Sequence, residues 1–374
     1  MKTKRVEIGG FNHFDSTEFR GVKKIKQISN IILVRKIGSG SFSRVYLGLD
    51  NATKKLYAVK KIQIKDVVRF SGASNSLERE IALMNKLKHD NLLKLYKVFH
   101  SKSKDYAYLV LEYAELGCLS EFEIKYGKLD QQSVISIIKQ IINALVYVHS
   151  QGVVHQDIKP SNILLCANGK ALLADFGIGH NFQSALMVVG TPAYQAPEAL
   201  DFSLDDDSIT IDASKEDVWS LGVTFYELLI GNLPFEGENM YEIVNTIKNK
   251  ALYIPNEIDP QIQEVLRRML SISPNDRPSM EELSKSILFA NASDLPQNLP
   301  NIMIDTSITK LPIEIDVVEC TNDYKFLTKS HSSPNSLLSS PVKRKSIKKL
   351  EPSVLTDDLF TMDDDIEIES AIDK

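Results

Sequence analysis

Apolar residues change their period along this chain, and that change restricts its fold more than any other feature. Between residues 31 and 64 they alternate with polar ones in the runs IILVRKIGSGSF, RVYLGLD and KLYAVKKIQ, broken by Gly or by Asn-Ala-Thr. Half-buried runs separated by turn residues read as successive antiparallel strands. Residues 77–87 (LEREIALMNKL) switch to helical spacing, with Leu77, Ile81, Met84 and Leu87 on one stripe. LKLYKVF and AYLVLEYA return to strand character. From residue 133 the chain is mainly helical, through VISIIKQIINALVYVHS, VWSLGVTFYELLIG, MYEIVNTIKNK and QIQEVLRRMLSIS. Strands followed by helices give an α+β, bilobal fold, with a small β-rich lobe at about residues 30–113 and a larger α-helical lobe at about 114–290.

Residues 1–29 form an N-terminal extension. Composition shifts near residue 290 to a Pro/Asn/Ser/Asp mixture, then SHSSPNSLLSSP, the basic cluster VKRKSIKK and the acidic end DDLFTMDDDIEIE. Such segments bury too little apolar surface to offset chain entropy, so residues 291–374 are expected to be a largely disordered tail. A net charge of −5 creates no global basic field, which argues against nucleic acid as a partner. Cys118, Cys166 and Cys320 are odd in number and lack close-paired spacing, which fits a reduced compartment better than a disulfide framework. No apolar run follows the basic N-terminus, no stretch approaches the roughly 18 apolar residues of a membrane span, and Lys2 excludes myristoylation. A cytoplasmic protein is expected, with a nuclear pool if the basic cluster is an import signal.

The chemistry lies in a series of short motifs. Ile37-Gly38-Ser39-Gly40-Ser41-Phe42-Ser43-Arg44-Val45 is a glycine-rich turn between two strands, where missing side chains let backbone approach phosphate. Alone it is weak, because Ser43 stands where a third glycine is common and an ordinary hairpin explains it equally. A strand rather than a helix follows, against a dinucleotide fold. Lys60, in Tyr57-Ala58-Val59-Lys60, can lay its stem along a strand and reach phosphates if an anion fixes it, and Glu80 in the next helix is placed for that. His155-Gln156-Asp157-Ile158-Lys159-Pro160-Ser161-Asn162 supplies an aspartate to orient a substrate hydroxyl and take its proton, and an asparagine to ligate magnesium. Asp175-Phe176-Gly177 follows eighteen residues after Asp157, with Asp175 bridging the metal to phosphates. Ala196-Pro197-Glu198 closes this segment and Asp217-Val218-Trp219-Ser220-Leu221-Gly222 opens the next buried helix. Chance does not produce this ordered series.

From roughly residue 30 to 290 the chain resembles a eukaryotic protein kinase. The resemblance implies a two-lobed fold and transfer of the ATP γ-phosphate, with ATP and Mg2+ required and protein substrates as partners. It implies Leu111 as gatekeeper, Glu112 and Ala114 offering backbone groups to adenine, and Val45, Ala58 and Leu164 sandwiching the purine. Met84, Leu95, His155 and Phe176 would stack as a regulatory spine, and Glu198 would pair with Arg277 as a buried structural ion pair. Lys159 and Gly190-Thr191-Pro192 indicate serine/threonine specificity, Lys159 neutralising the transferring phosphate and Thr191 bridging Asp157 and Lys159. More narrowly, VHQDIKPSNILL, GTPAYQAPEAL and LPFEGENMYEIVNTI resemble the group uniting liver kinase B and the calcium/calmodulin-dependent kinase kinases, which act on AMP-activated-type kinases. FNHFDSTEF and PFEGENMY lean toward the liver kinase B side, whereas the intact Asp-Phe-Gly departs from it. The extended connection KDVVRFSGASNS fits either branch.

The rival reading is a pseudokinase acting as an allosteric scaffold, which Ser43 for glycine and Gln156 for arginine would favour. Neither departure removes a group that touches the transferred phosphate. Gln156 cannot clamp a phosphate ionically, and the segment from Phe176 to Gly190 has Ser184 as its single hydroxyl beside the apolar run Leu186-Met187-Val188-Val189. Activation by packing or by an activating protein partner is therefore expected. Asp205-Asp206-Asp207 is either a solvated loop or an attractor of basic substrate residues. VKRKSIKK reads as an import patch, as part of a calmodulin-binding helix, or as a solvated charge run, and Pro334 and Pro341 favour the last. Ser333 and Ser340 precede prolines and suit proline-directed kinases.

Overall fold

The computed structural model describes residues 25–40, 43–71, 76–175, 192–200, 212–301 and 315–321. Six strands build the small lobe: β1 (Ile25–Ile28), β2 (Ile31–Gly40), β3 (Ser43–Asp50), β4 (Leu56–Gln63), β5 (Leu95–Ser101) and β6 (Tyr106–Leu111). They are antiparallel, in the spatial order β5-β6-β4-β3-β2-β1. Local chemistry sets the reversals. Ser29 takes a left-handed φ of 55° in the two-residue turn between β1 and β2. Asp50 ends β3 by accepting from the backbone N–H groups of Ala52 at 2.8 Å and Thr53 at 3.0 Å, a side-chain turn that returns the chain into β4.

Two helices, α1 (Ile64–Ser71) and α2 (Ser76–Lys86), separate β4 from β5. The first occupies most of the stretch expected to be a plain connection, because Ile64 and Val67 find buried places against the sheet. The sheet has a core on each face. Ile62, Leu77, Ile81, Met84, Leu95, Leu109 and Leu111 pack on the α2 side, and Ile28, Ile31, Leu33, Val59, Phe99, Tyr108 and Val110 pack on the other. The alternation Val59 out, Lys60 in, and Val110 out, Leu111 in follows from the period of two.

The large lobe is built on α4 (Gln131–Ser150), with α3 (Leu119–Tyr126) before it and β7 (Ile163–Leu165), β8 (Ala171–Leu173), α5 (Pro197–Leu200) and α6 (Ala213–Ile230) after it. α7 (Met240–Asn249), α8 (Pro260–Met269), α9 (Met280–Ser284) and α10 (Ile287–Ala290) complete it. Caps fix the helix starts: Asp130 accepts from Ser133 N–H at 2.8 Å, Asn239 from Glu242 N–H, and Ser279 with Glu282 forms a capping box. α4 is long and apolar enough to cross a bilayer, yet 67% of its apolar window is buried inside the lobe, as befits a core helix. Ile137, Ile138 and Ile141 of α4 and Trp219 and Phe225 of α6 are fully buried in one cluster. At Gly222 an added Cβ would stand 3.0 Å from Met269 and Leu270, so α6 and α8 approach closely there.

Two stretches within the tail expected to be largely disordered have definite structure. Residues 291–301 run along α4, where Ser133 Oγ donates to the Gln297 carbonyl at 2.9 Å and Lys139 bonds Asp294 at 2.8 Å. Further on, β9 (Ile315–Val318) and β10 (Cys320–Thr321) join the edges of the small-lobe sheet. The rest of that tail, the N-terminal extension to residue 24 and Asp205–Asp207 lie outside the described residues.

Candidate active site

β2 and β3 pair to the end of the glycine-rich stretch, Gly38 opposite Val45, Ser39 opposite Arg44 and Gly40 opposite Ser43. The chain is therefore still extended at Gly40, and Ser41 and Phe42 lie outside the described residues. An added Cβ at Gly40 would stand 3.2 Å from Ser43 Oγ, so Ser43 crowds its partner rather than opening space. Ile37 sits one residue before this stretch on β2.

The strand register gathers the purine residues. Ala58 lies opposite both Leu47 and Leu111, and Lys60 opposite Val45 and Leu109. Leu111 ends β6 buried, and the chain leaves through Glu112, whose N–H donates to the Lys94 carbonyl at 2.9 Å. Glu112 Oε1 accepts from Lys170 Nζ at 3.0 Å. The carbonyl of Ala114 accepts from Gly117 N–H at 3.2 Å. Leu164 on β7 pairs with Leu172 and packs against the cluster that holds Leu111 and Ala114.

The loop after α4 is pinned from below by one buried carboxylate. Asp217 in α6 accepts from the backbone N–H of His155 at 2.8 Å, from that of Gln156 at 2.7 Å and from His149 Nε2 at 2.8 Å. That grip holds Gln156 at φ 64°, a conformation non-glycine residues rarely adopt. Sequence reading placed Asp217 at the mouth of a helix but missed this role; a carboxylate directly preceding the buried run Val218–Tyr226 was the available signal. His155 faces the Ala174 carbonyl with Nε2 at 3.0 Å and the Asp157 N–H with Nδ1 at 3.3 Å, which assigns the proton to Nε2.

Asp157 is held by its neighbours. Lys159 Nζ donates to its Oδ1 at 2.8 Å, and Asn162 Nδ2 donates to its Oδ2 and its carbonyl, both at 2.8 Å. Asn162 spends its N–H groups there, which leaves its side-chain oxygen as a ligand. Its backbone carbonyl accepts from Ala174 N–H at 2.9 Å, so Asn162 and Asp175 lie side by side. Asp175 has φ 58° and binds Lys60 Nζ at 2.6 Å, and the ammonium holds its carboxyl below the usual range. One carboxylate and one amide oxygen suit a hard cation such as Mg2+ that keeps phosphate and water ligands, and no cluster of three or more His, Cys, Asp or Glu occurs among the described residues.

The anion fixing Lys60 differs from expectation. Lys60 bonds Asp175, whereas Glu80 is buried, its Oε2 lacks a hydrogen-bond partner, and burial pushes its pKa up to about 7. Both carboxylates act on the ammonium's charge, but Asp175 is the one within hydrogen-bond reach. Met84 and Leu95 share one buried cluster and His155 contacts Ala174 beside it, while Phe176, Thr191 and the whole segment between them lie outside the described residues. The Glu198–Arg277 pair is bidentate at 2.6 and 2.8 Å and buried, and the guanidinium also bonds the carbonyls of Ser271, Lys215 and Ile272.

Comparison with known proteins agrees with this geometry. The family described as protein kinase domain matches residues 31–289. CBL-interacting protein kinase 11 of Oryza sativa subsp. japonica is 36% identical over 258 residues, covering 67% of this chain and 50% of the relative. Serine/threonine-protein kinase STK11 of Mus musculus is 32% identical over 284 residues, 74% of this chain and 64% of the relative. A probable serine/threonine-protein kinase of Dictyostelium discoideum is 32% identical over 271 residues, 72% of this chain and 32% of the relative. The match spans between about a third and two thirds of these relatives.

Proposed function

Because the chain belongs to the protein kinase family, we propose that it transfers the γ-phosphate of ATP to serine or threonine hydroxyls of proteins, and that its substrates include kinases of the AMP-activated type. The observation that carries the reading is the convergence of Asp157, Lys159, Asn162, Asp175 and Lys60 through contacts of 2.6–2.8 Å. In transfer, the substrate oxygen bonds to the γ-phosphorus, the bond to the β-phosphate oxygen breaks, and ADP leaves. The Asp157 carboxylate, held in place by Lys159 and Asn162, can align the hydroxyl and take its proton. Lys159 stands beside the same carboxylate, where it offsets charge on the moving phosphoryl group. Lys60 holds the α- and β-phosphates from the strand side. Asp175 and Asn162 would hold a magnesium ion, which when bound would neutralise the phosphate oxygens.

Catalysis is supported over a scaffold role by where the two departures fall. Gln156 is exposed and contributes its backbone N–H to Asp217, and Ser43 pairs within the hairpin through its backbone. The narrower substrate is supported by the likeness to STK11, a liver kinase B, and by the motifs quoted above. We infer a cytoplasmic location, with a nuclear pool if VKRKSIKK acts as an import signal, which fluorescent tagging would check. The deciding assay incubates the full chain with ATP, Mg2+ and inactive kinase domains whose activation threonine is unmodified, with Asp157→Asn in parallel. Phosphate on that threonine from the parent alone is expected. Transfer to other proteins but never to such threonines would remove the narrower reading. ATP binding without any transfer would favour the scaffold.

A further inference from the structure

A β-sheet edge is ordinarily a row of unpaired N–H and C=O groups. The small-lobe sheet has two edges, β1 and β5, and one short piece of chain lies on both. β9 runs parallel to β1, with Ile25 opposite Ile315 and Ile28 opposite Val318. After a single intervening residue, β10 runs antiparallel to β5, with Cys320 opposite Ser101 and Thr321 opposite His100. Between them Lys102 N–H donates to the Glu319 carbonyl at 3.1 Å, and Lys102 Nζ bonds Glu319 Oε2 at 2.6 Å. Residues 315–321 therefore serve as neighbour first to one edge and then to the other, and the sheet closes on itself.

The side chains divide as a half-buried strand requires. Val318 and Cys320, two residues apart, pack against the outer cluster of Ile28, Ile31, Leu33, Val59, Phe99, Tyr108 and Val110. Val317, next to Val318 on β9 and opposite Gln27, is 61% exposed. The covered cluster shares its strands with the site: Val59 precedes Lys60 on β4, and Val110 precedes Leu111 on β6. A strand this short binds weakly by itself, but it is joined to the large lobe by the same chain, which raises its effective concentration to the millimolar range.

We propose that residues 315–321 are a clasp that closes the small-lobe sheet and holds β4, and with it Lys60, in register. The catalytic unit accordingly extends to Thr321 instead of ending with α10. The link to Lys60 rests on the kinase reading; the clasp itself does not. The test compares the full chain with Val318→Asp, which puts a charge into the covered cluster, and with Val317→Asp, which puts the same charge into solvent. Hydrogen exchange is followed at residues 25–28 and at the Lys102 amide, with the melting temperature and the KM for ATP. In the parent these amides should be protected. Val318→Asp should lose that protection by tenfold or more, melt several degrees lower and raise the KM for ATP several-fold with less effect on kcat. Val317→Asp should change none of these. Exchange at Lys102 as fast as in a free edge in the parent overturns the clasp whether or not either variant folds, and so does equal protection in the parent and Val318→Asp. Lost protection with an unchanged KM overturns the link to Lys60. Failure of the parent to use ATP at all would sink the kinase reading and leave the exchange result standing.

Discussion

Glu80 is a buried carboxyl with one oxygen unpartnered, and its raised pKa of about 7 makes the fold and the chemistry respond to pH in opposite directions. Between its ordinary value of 4.5 and about 7, the folded chain binds a proton that the unfolded chain has released. Stability therefore rises as pH falls through that window, and above it the fold carries the full cost of an ionised buried group. Lys60 bonds Asp175 directly, and only the ionised Glu80 adds a second negative charge to hold that ammonium when Asp175 turns to the metal, so activity should climb through the same range. Glu80→Gln is expected to melt at or above the parent temperature at pH 8, to flatten the pH dependence of melting between pH 5 and 7, and to lose at least about tenfold in turnover. Melting curves and initial rates across pH check this; a variant whose melting keeps the parent's pH slope would refute it. Asp157→Asn should fold normally and lose turnover by roughly 100-fold or more, because the amide cannot take the hydroxyl proton. Circular dichroism and single-turnover kinetics separate the two effects. At this scale most of the site was legible, because each group sits in a fixed short motif. The Lys60 contact with Asp175 was not, because it joins two motifs 115 positions apart and no short motif encodes it.

At the scale of elements, α6 does more than fill the core. Through Asp217 it carries the loop that bears Asp157, and the Arg277 guanidinium lies over its Trp219 ring at 5.0 Å. Asp217→Asn keeps the shape but turns one acceptor into a donor facing a backbone N–H. It should cost roughly 1–3 kcal/mol of stability and lower kcat more than it raises KM. Equal melting and equal kcat would show that the loop is held otherwise. Glu198→Ala strands a buried guanidinium and should cost about 3–5 kcal/mol in chemical unfolding, with Arg277→Lys intermediate because an ammonium cannot bond both oxygens in a fork. Elements with long apolar stripes, such as α4 and α6, were readable to within a few residues from periodicity. α3, β7 and β8 were not, since eight residues or fewer give too few turns or alternations to establish a period. β9 and β10 were hidden for that reason and one more. Their seven residues, IDVVECT, are too few to establish a period inside an otherwise polar tail, and their order comes from sheet edges more than two hundred positions away in the chain.

For the whole molecule the question is what switches the assembled site on. Many kinases are activated when a phosphate on the activation segment pairs with an arginine before the catalytic aspartate. That position is Gln156, whose side chain is exposed and whose backbone N–H, at 2.7 Å from Asp217 Oδ1, is what the fold uses. Asp217, His155 and Asn162 already hold Asp157, Ala174 and each other through bonds that need no phosphate. The sequence from Phe176 to Gly190 offers only Ser184 as an acceptor. Receiver and acceptor are both poor, so activity should be independent of activation-segment phosphorylation, with the apolar run Leu186–Val189 packing on the large lobe or on an activating protein. Phosphatase treatment and Ser184→Ala should each leave the rate within about twofold, and Gln156→Arg should change neither the rate nor its response to phosphatase. A large loss in both treated and Ser184→Ala enzyme, with the treated enzyme restored by rephosphorylation at Ser184, would show that a phosphate does bind, and that its receiver is some cation other than the residue before Asp157.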